Sequence, residues 1–131
     1  MMNKTIFCFG RDYQAELYTK LDYADYNPLF ITLTLDEKKI ITDKGFKVIG
    51  CFEEDYSNII ESKFEPSYLD TSFFSDRFLG ELNLNDRNLL LQKSISFWAK
   101  LFDTYKPIAV LNEVIAIEFS EVMYIEARKR N

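Results

Sequence analysis

The sequence predicts a three-layer α/β/α domain around a mostly parallel sheet of about four strands, in the order 3-2-1-4. Three observations carry this. Short apolar runs rich in β-branched and aromatic residues alternate with amphipathic stretches, and single glycines or prolines separate them. A chain of 131 residues, 47% apolar and 28% charged, suits one globular domain with a real core.

Residues 4 to 9, in "KTIFCFGRDY", read as a buried strand ending at Gly10. The segment "RDYQAELYTKLDY" then places Tyr13, Leu17, Leu21 and Ala24 at helical spacing. Asn27 and Pro28 punctuate the chain before a second strand, Leu29 to Leu35. A short charged helix, "DEKKIITDK", follows with Asp36 as its N-cap and Gly45 at its C-terminal stop. "FKVIGCF" supplies a third strand, running into Glu53, Glu54 and Asp55. This alternation produces parallel strands joined by right-handed crossovers.

Residues 53 to 84 mix aromatic and polar residues, with Pro66 and Gly80 as punctuation, and are expected to hold one or two short helices. A long amphipathic helix follows, in which Leu91, Ile95, Trp98, Phe102 and Tyr105 repeat at alternating steps of four and three. Asn85 or Asp86 would cap it. Pro107 resets the chain to a fourth strand, Ile108 to Leu111, and a closing helix begins at about Val114. That helix has Ile115, Phe119, Val122 and Met123 on one face. The whole arrangement is Rossmann-like.

Composition excludes several function classes. The formal charge of −5 opposes a nucleic-acid partner, which needs a concentrated positive surface. The one dense basic cluster, Arg128, Lys129 and Arg130, sits where a last helical turn complements the helix dipole. No apolar run approaches the ~20 residues of a membrane span, and no cleavage site follows the first strand, so a cytoplasmic location is expected. Histidine is absent, which removes Ser-His-Asp and Cys-His catalysis and nearly all zinc chemistry. Cys8 and Cys51 fall on strands with a third strand between them, roughly 9 to 10 Å apart and too far for a disulfide. Both are expected to be buried, reduced thiols.

In open parallel sheets, ligands bind beyond the strand carboxyl ends where the strand order reverses. In the order 3-2-1-4 that point lies between strands one and four. Gly10, Arg11 and Asp12 meet Asn112 and Glu113 there. "GRDYQAE" has one glycine where a dinucleotide fingerprint needs three, and no G-K-[ST] occurs, so no nucleotide cofactor is expected. Gly10 then reads as a turn, leaving the following helix N-terminus open to an anion or a sugar hydroxyl. Arg11 suits a carboxylate or phosphate clamp, against the commoner solvated arginine. Glu113 suits a general base, against a carboxylate that merely stabilises a first helical turn, and Asp12 reads more simply as a first-turn residue. Glu53, Glu54 and Asp55 lack ordered metal-ligand spacing and read as a loop or helix start, so no metal is expected.

The layout of "PLFITLTLDEKKIITDKGFKVIGCFEE" and of "KPIAVLNEVIAIEFSEVMYIEARKRN" resembles the N-terminal half of bacterial GT-B glycosyltransferases, those of capsular and surface polysaccharide biosynthesis in particular. The strand leading to Leu111, Asn112 and Glu113, and the helix ending in Glu126, Ala127, Arg128 and Lys129, carry the likeness. The resemblance implies an acceptor-binding domain, with a carbohydrate acceptor held by Gly10, Arg11, Asp12 and Asn112 and with Glu113 as the catalytic residue. It implies a C-terminal donor-binding domain as partner and no activity without it, and it leaves peripheral membrane association and a homodimer open. A competing expectation is a non-catalytic interaction domain of the same fold, using the aromatic segment Tyr68 to Phe78, with Phe73 and Phe74 at its centre.

Overall fold

In the computed structural model, which describes residues 3–61, 84–112 and 118–130, four strands form one all-parallel sheet in the order β3-β2-β1-β4. They are β1 (Thr5–Phe9), β2 (Asn27–Thr32), β3 (Val48–Cys51) and β4 (Ala109–Leu111). This is the Rossmann-like order expected from the alternation of apolar runs. The β1–β2 register runs unbroken from Thr5 opposite Asn27 to Phe9 opposite Ile31. Between β2 and β3 it slips, with Phe30 opposite Val48 but Ile31 opposite Gly50, which leaves Ile49 as an extra residue.

A parallel sheet must bury both faces. On one face Cys8 and Phe30 join Ala15, Tyr18 and Ile41 in a buried cluster, ringed by Ile6, Tyr23, Phe46, Val48 and Leu111. Tyr23, Phe30 and Phe46 are mutually packed there, with ring centroids 5.1 to 6.4 Å apart. The alternate residues Phe7, Phe9, Leu29 and Ile31 point the other way and are also buried. Tyr105 meets Phe7 edge-on at 6.2 Å. Thr32 ends β2 fully buried, and its hydroxyl has no hydrogen-bond partner among the described residues. Thr32→Val keeps the shape and removes the stranded hydroxyl, so it should raise unfolding stability by up to about 1 kcal/mol in urea titrations. A loss of stability would mean that the hydroxyl is satisfied.

Helix α1 (Gln14–Thr19) is shorter than the periodicity implied and turns a different face inward. Gln14, Ala15 and Tyr18 are buried, whereas Tyr13, Leu17 and Leu21 are 59%, 46% and 45% exposed. The reason is steric. The helix approaches β1 closely at Gly10, where a small Ala15 fits and a leucine would not. Beyond Lys20, whose N–H bonds to the Leu17 carbonyl, the chain leaves the helix, and Ala24 adopts a left-handed φ of 52°.

Helix α2 (Leu35–Asp43) is capped two residues earlier than expected, by Thr34 and not by Asp36. The Thr34 hydroxyl accepts from the Glu37 N–H at 3.3 Å while the Glu37 carboxylate accepts from the Thr34 N–H at 3.0 Å, a capping box. Strand β2 therefore ends at Thr32, and Leu35 is exposed. Gly45 terminates the helix as expected, with φ at 87°. Its N–H bonds to Thr42 and that of Phe46 to Ile41, the paired arrangement that a left-handed residue after a helix permits.

Residues 52–58 form a short helix α3 (Phe52–Asp55) and a 3-10 turn (Tyr56–Asn58). Residues 62–83 of the segment expected to hold short helices lie outside the described residues, as do Val114 and Ile115. Helix α4 (Leu84–Tyr105) contains Asn85 and Asp86 within its first turn rather than ahead of it. Helix α5 (Glu118–Lys129) closes the described chain. The residues divide into two compact units, one holding the sheet with α1 to α3, the other most of α4 together with α5. In the second unit, Leu91, Ile95, Trp98 and Phe102 of α4 and Phe119, Val122 and Met123 of α5 are buried, as their spacing predicts.

The terminal basic residues have specific partners. Arg130 donates to both Asp103 oxygens and to the buried Glu126 carboxylate, which Lys129 also reaches at 3.0 Å. Arg128 lies over the Tyr124 ring. These contacts hold the cluster to its own unit.

Candidate functional site

The reversal of strand order falls between β1 and β4, which pair in parallel with Cys8 opposite Leu111. Arg11 and Asn112 therefore leave neighbouring strands at the same carboxyl edge. Both are half-buried, and neither side chain has a hydrogen-bond or ion-pair partner among the described residues. Glu113, the expected catalytic residue, lies outside the described residues.

Gly10 is not the turn. Its backbone is unremarkable in φ, it is buried, and a Cβ added to it would stand 2.6 Å from Ile41 Cδ1 and 3.3 Å from Ala15 Cα. The glycine serves close packing of β1 against α1 and α2. Gly10→Ala should cost roughly 1 to 3 kcal/mol, because Ile41 is fully buried and Ala15 meets the new methyl with backbone. A urea midpoint within error of the wild type would contradict this tight contact. The reversal is made instead at Asp12, an exposed residue with φ at 56°.

The amides of Gly10, Arg11 and Asp12 are committed. Gly10 N–H donates to Ile31 at 2.9 Å, Arg11 N–H to Phe9 at 3.0 Å, and Asp12 N–H to the Glu37 carboxylate at 2.7 Å. These three amides are thus not available to an anion, and α1 is only six residues long. Any ligand at this edge would be read by side chains.

Glu37 is the residue that sequence reasoning missed. It is 8% exposed, and one oxygen accepts from Leu33 and Thr34 while the other crosses to Asp12. The pattern Thr34, Leu35, Asp36, Glu37 is a legible capping-box signature. The bond to Asp12, 25 residues away, has no local signal.

The acidic run is also spent on structure. Glu53 accepts from the Leu35 N–H at 2.7 Å, Glu54 pairs with Lys38 at 2.8 Å, and Asp55 accepts from the Cys51 N–H at 3.2 Å. Lys38 is held more firmly protonated, chiefly by its bond to Glu54. No group of metal-ligating residues occurs among the described residues. Cys8 and Cys51 are free and buried, as expected. Burial pushes the Cys8 thiol up to about 11, and it donates to the Tyr23 hydroxyl, which donates to the Tyr18 carbonyl. Such a thiol is neutral at physiological pH and a poor nucleophile. No described helix is long and apolar enough to cross a membrane.

Comparison with protein-family models, with curated proteins and with solved structures finds no match to this chain.

Proposed function

We propose that this chain is the acceptor-side domain of a bacterial glycosyltransferase of surface or capsular polysaccharide, acting in the cytoplasm. It binds a carbohydrate acceptor beyond the carboxyl ends of β1 and β4. Arg11, Asp12 and Asn112 contact the acceptor in this reading, and Glu113 is the candidate base. Gly10 contributes by letting the strand and helices close behind them. The observation that carries the reading is the pair of half-buried, unpartnered polar side chains, Arg11 and Asn112, at the point where the strand order reverses. Transfer needs donor and acceptor held together, so a separate donor-binding domain completes the enzyme.

The test is an amide-shift titration of the isotopically labelled chain with surface oligosaccharides, run beside an assay for nucleotide-sugar turnover. Shifts at Arg11, Asp12 and Asn112 with no turnover are expected. Turnover by the chain alone would refute the need for a donor domain, and shifts confined to other surfaces would refute the site.

A second reading, a non-catalytic interaction domain, is favoured by one observation. Tyr13, just before α1, and Leu17 on it stand exposed four residues apart, with Leu21 exposed just beyond the helix. The segment Tyr68 to Phe78, first expected to form such a surface, lies outside the described residues. Sedimentation of the wild type and of Leu17→Asp decides it: self-association lost in the variant supports an interface, and a monomer in both removes this support.

A further inference from the structure

We infer that the site at the β1–β4 edge selects an acceptor carrying an anionic oxygen group, a carboxylate or a phosphate, and that Arg11 reads it. The inference rests on the acceptor-site reading above and narrows its substrate class. Most cations among the described side chains are either exposed or already paired. Lys4 pairs with Asp25, Lys38 with Glu54, Lys129 and Arg130 with Glu126, and Arg128 stacks on Tyr124. Lys44, Lys47, Lys100 and Lys106 are exposed. Arg11 differs from these: it is drawn partly out of water, and no anion pairs with it among the described residues.

Withdrawing a guanidinium from water without a counter-charge is unfavourable, and a bound anion offsets that cost. Among the described residues, the carboxylates nearby do not serve. Both oxygens of Glu37 are taken by backbone N–H groups, and Asp12 is exposed and makes no ion pair. The amides of Gly10, Arg11 and Asp12 are committed as well, and the planar fork of Arg11 is free to meet an oxyanion. Asn112, from the adjacent strand end, offers an amide donor and an acceptor suited to sugar hydroxyls.

The experiment is a titration of the full chain with glucuronate, glucose 6-phosphate, glucose and inorganic phosphate, followed by amide shifts and calorimetry. It is repeated in Arg11→Gln and Arg11→Lys, whose retained spectra show that they fold. Glucuronate or glucose 6-phosphate should shift Arg11 and Asn112 where glucose does not, and whichever binds tighter identifies the carboxylate or the phosphate. Arg11→Gln should weaken that binding by about 10- to 100-fold, and Arg11→Lys should spare phosphate more than carboxylate, because lysine lacks the bidentate fork. Equal binding of glucose, unchanged in Arg11→Gln, overturns the anion selectivity while the acceptor site stands. Silence of these amides toward every sugar overturns both, and a response to inorganic phosphate without any sugar identifies an adventitious ion only and also overturns both.

Discussion

Trp98→Ala should lower the unfolding free energy by roughly 3 to 5 kcal/mol, a large share of the 5 to 15 kcal/mol typical of a domain. Trp98 is fully buried, and its ring lies 5.5 Å from that of Phe97, 5.9 Å from Phe102 and 5.1 Å from Phe119. Its removal takes away the largest buried side chain at the junction of α4 and α5 and leaves a cavity that three rigid rings cannot fill by rotation. Trp98→Phe keeps most of the packing and should cost about half as much or less. Trp98 is the sole tryptophan, so far-UV circular dichroism in urea, not fluorescence, is the measurement. Tyr124→Ala, at a ring 44% exposed on α5, is the control and should change stability by no more than about 1 kcal/mol. A Trp98→Ala effect as small as the control's would mean that this cluster is not a packed core.

The features legible in the sequence were those written in hydrophobic period and punctuation. Four apolar runs separated by amphipathic segments leave few parallel arrangements, and 3-2-1-4 is the one realised. The faces of α4 and α5 followed because apolar spacing on a long helix has one interpretation. Helix α1 did not follow. Tyr13, Leu17 and Leu21 make a better apolar stripe than Gln14, Ala15 and Tyr18, yet the contact at Gly10 admits only a small residue, and shape overrode hydropathy. The left-handed turn at Asp12 was hidden for a related reason. It is stabilised from outside its own segment, by a carboxylate on α2.

The site was half legible. The reversal of strand order pointed to the loops after β1 and β4, and Arg11 and Asn112 do leave adjacent strands at one edge. Position along the sheet says where a ligand would sit but not what it is, because one α/β layout hosts many chemistries. The glycosyltransferase resemblance was one of layout, and so the chemistry has to be argued from Arg11 outward.

Glu37→Ala is the second large effect, expected at roughly 2 to 4 kcal/mol from the loss of a helix cap together with stranded backbone donors. The carboxylate accepts from Leu33 and Thr34 at 3.0 Å each and from Asp12 at 2.7 Å. Truncation leaves three N–H groups without their acceptor and removes the partner that favours the left-handed backbone at Asp12. Glu37→Gln separates the two roles. Its carbonyl oxygen can still accept from Leu33 and Thr34, while its amide nitrogen can only donate and must turn from the Asp12 N–H. The glutamine variant should therefore lose about half as much stability as the alanine variant, and its fast-exchanging amide should be Asp12 alone. In Glu37→Ala, Leu33 and Thr34 should exchange fast as well. Because Arg11 immediately precedes Asp12, Glu37→Gln should also loosen the aim of the guanidinium and weaken anion binding with the cap still formed. A glutamine variant as stable as the wild type would show that the bond to Asp12 contributes nothing and that the loop over the site is held by the α2 cap alone, whereas equal loss in both variants would show that the bonds to Leu33 and Thr34 add nothing beyond it.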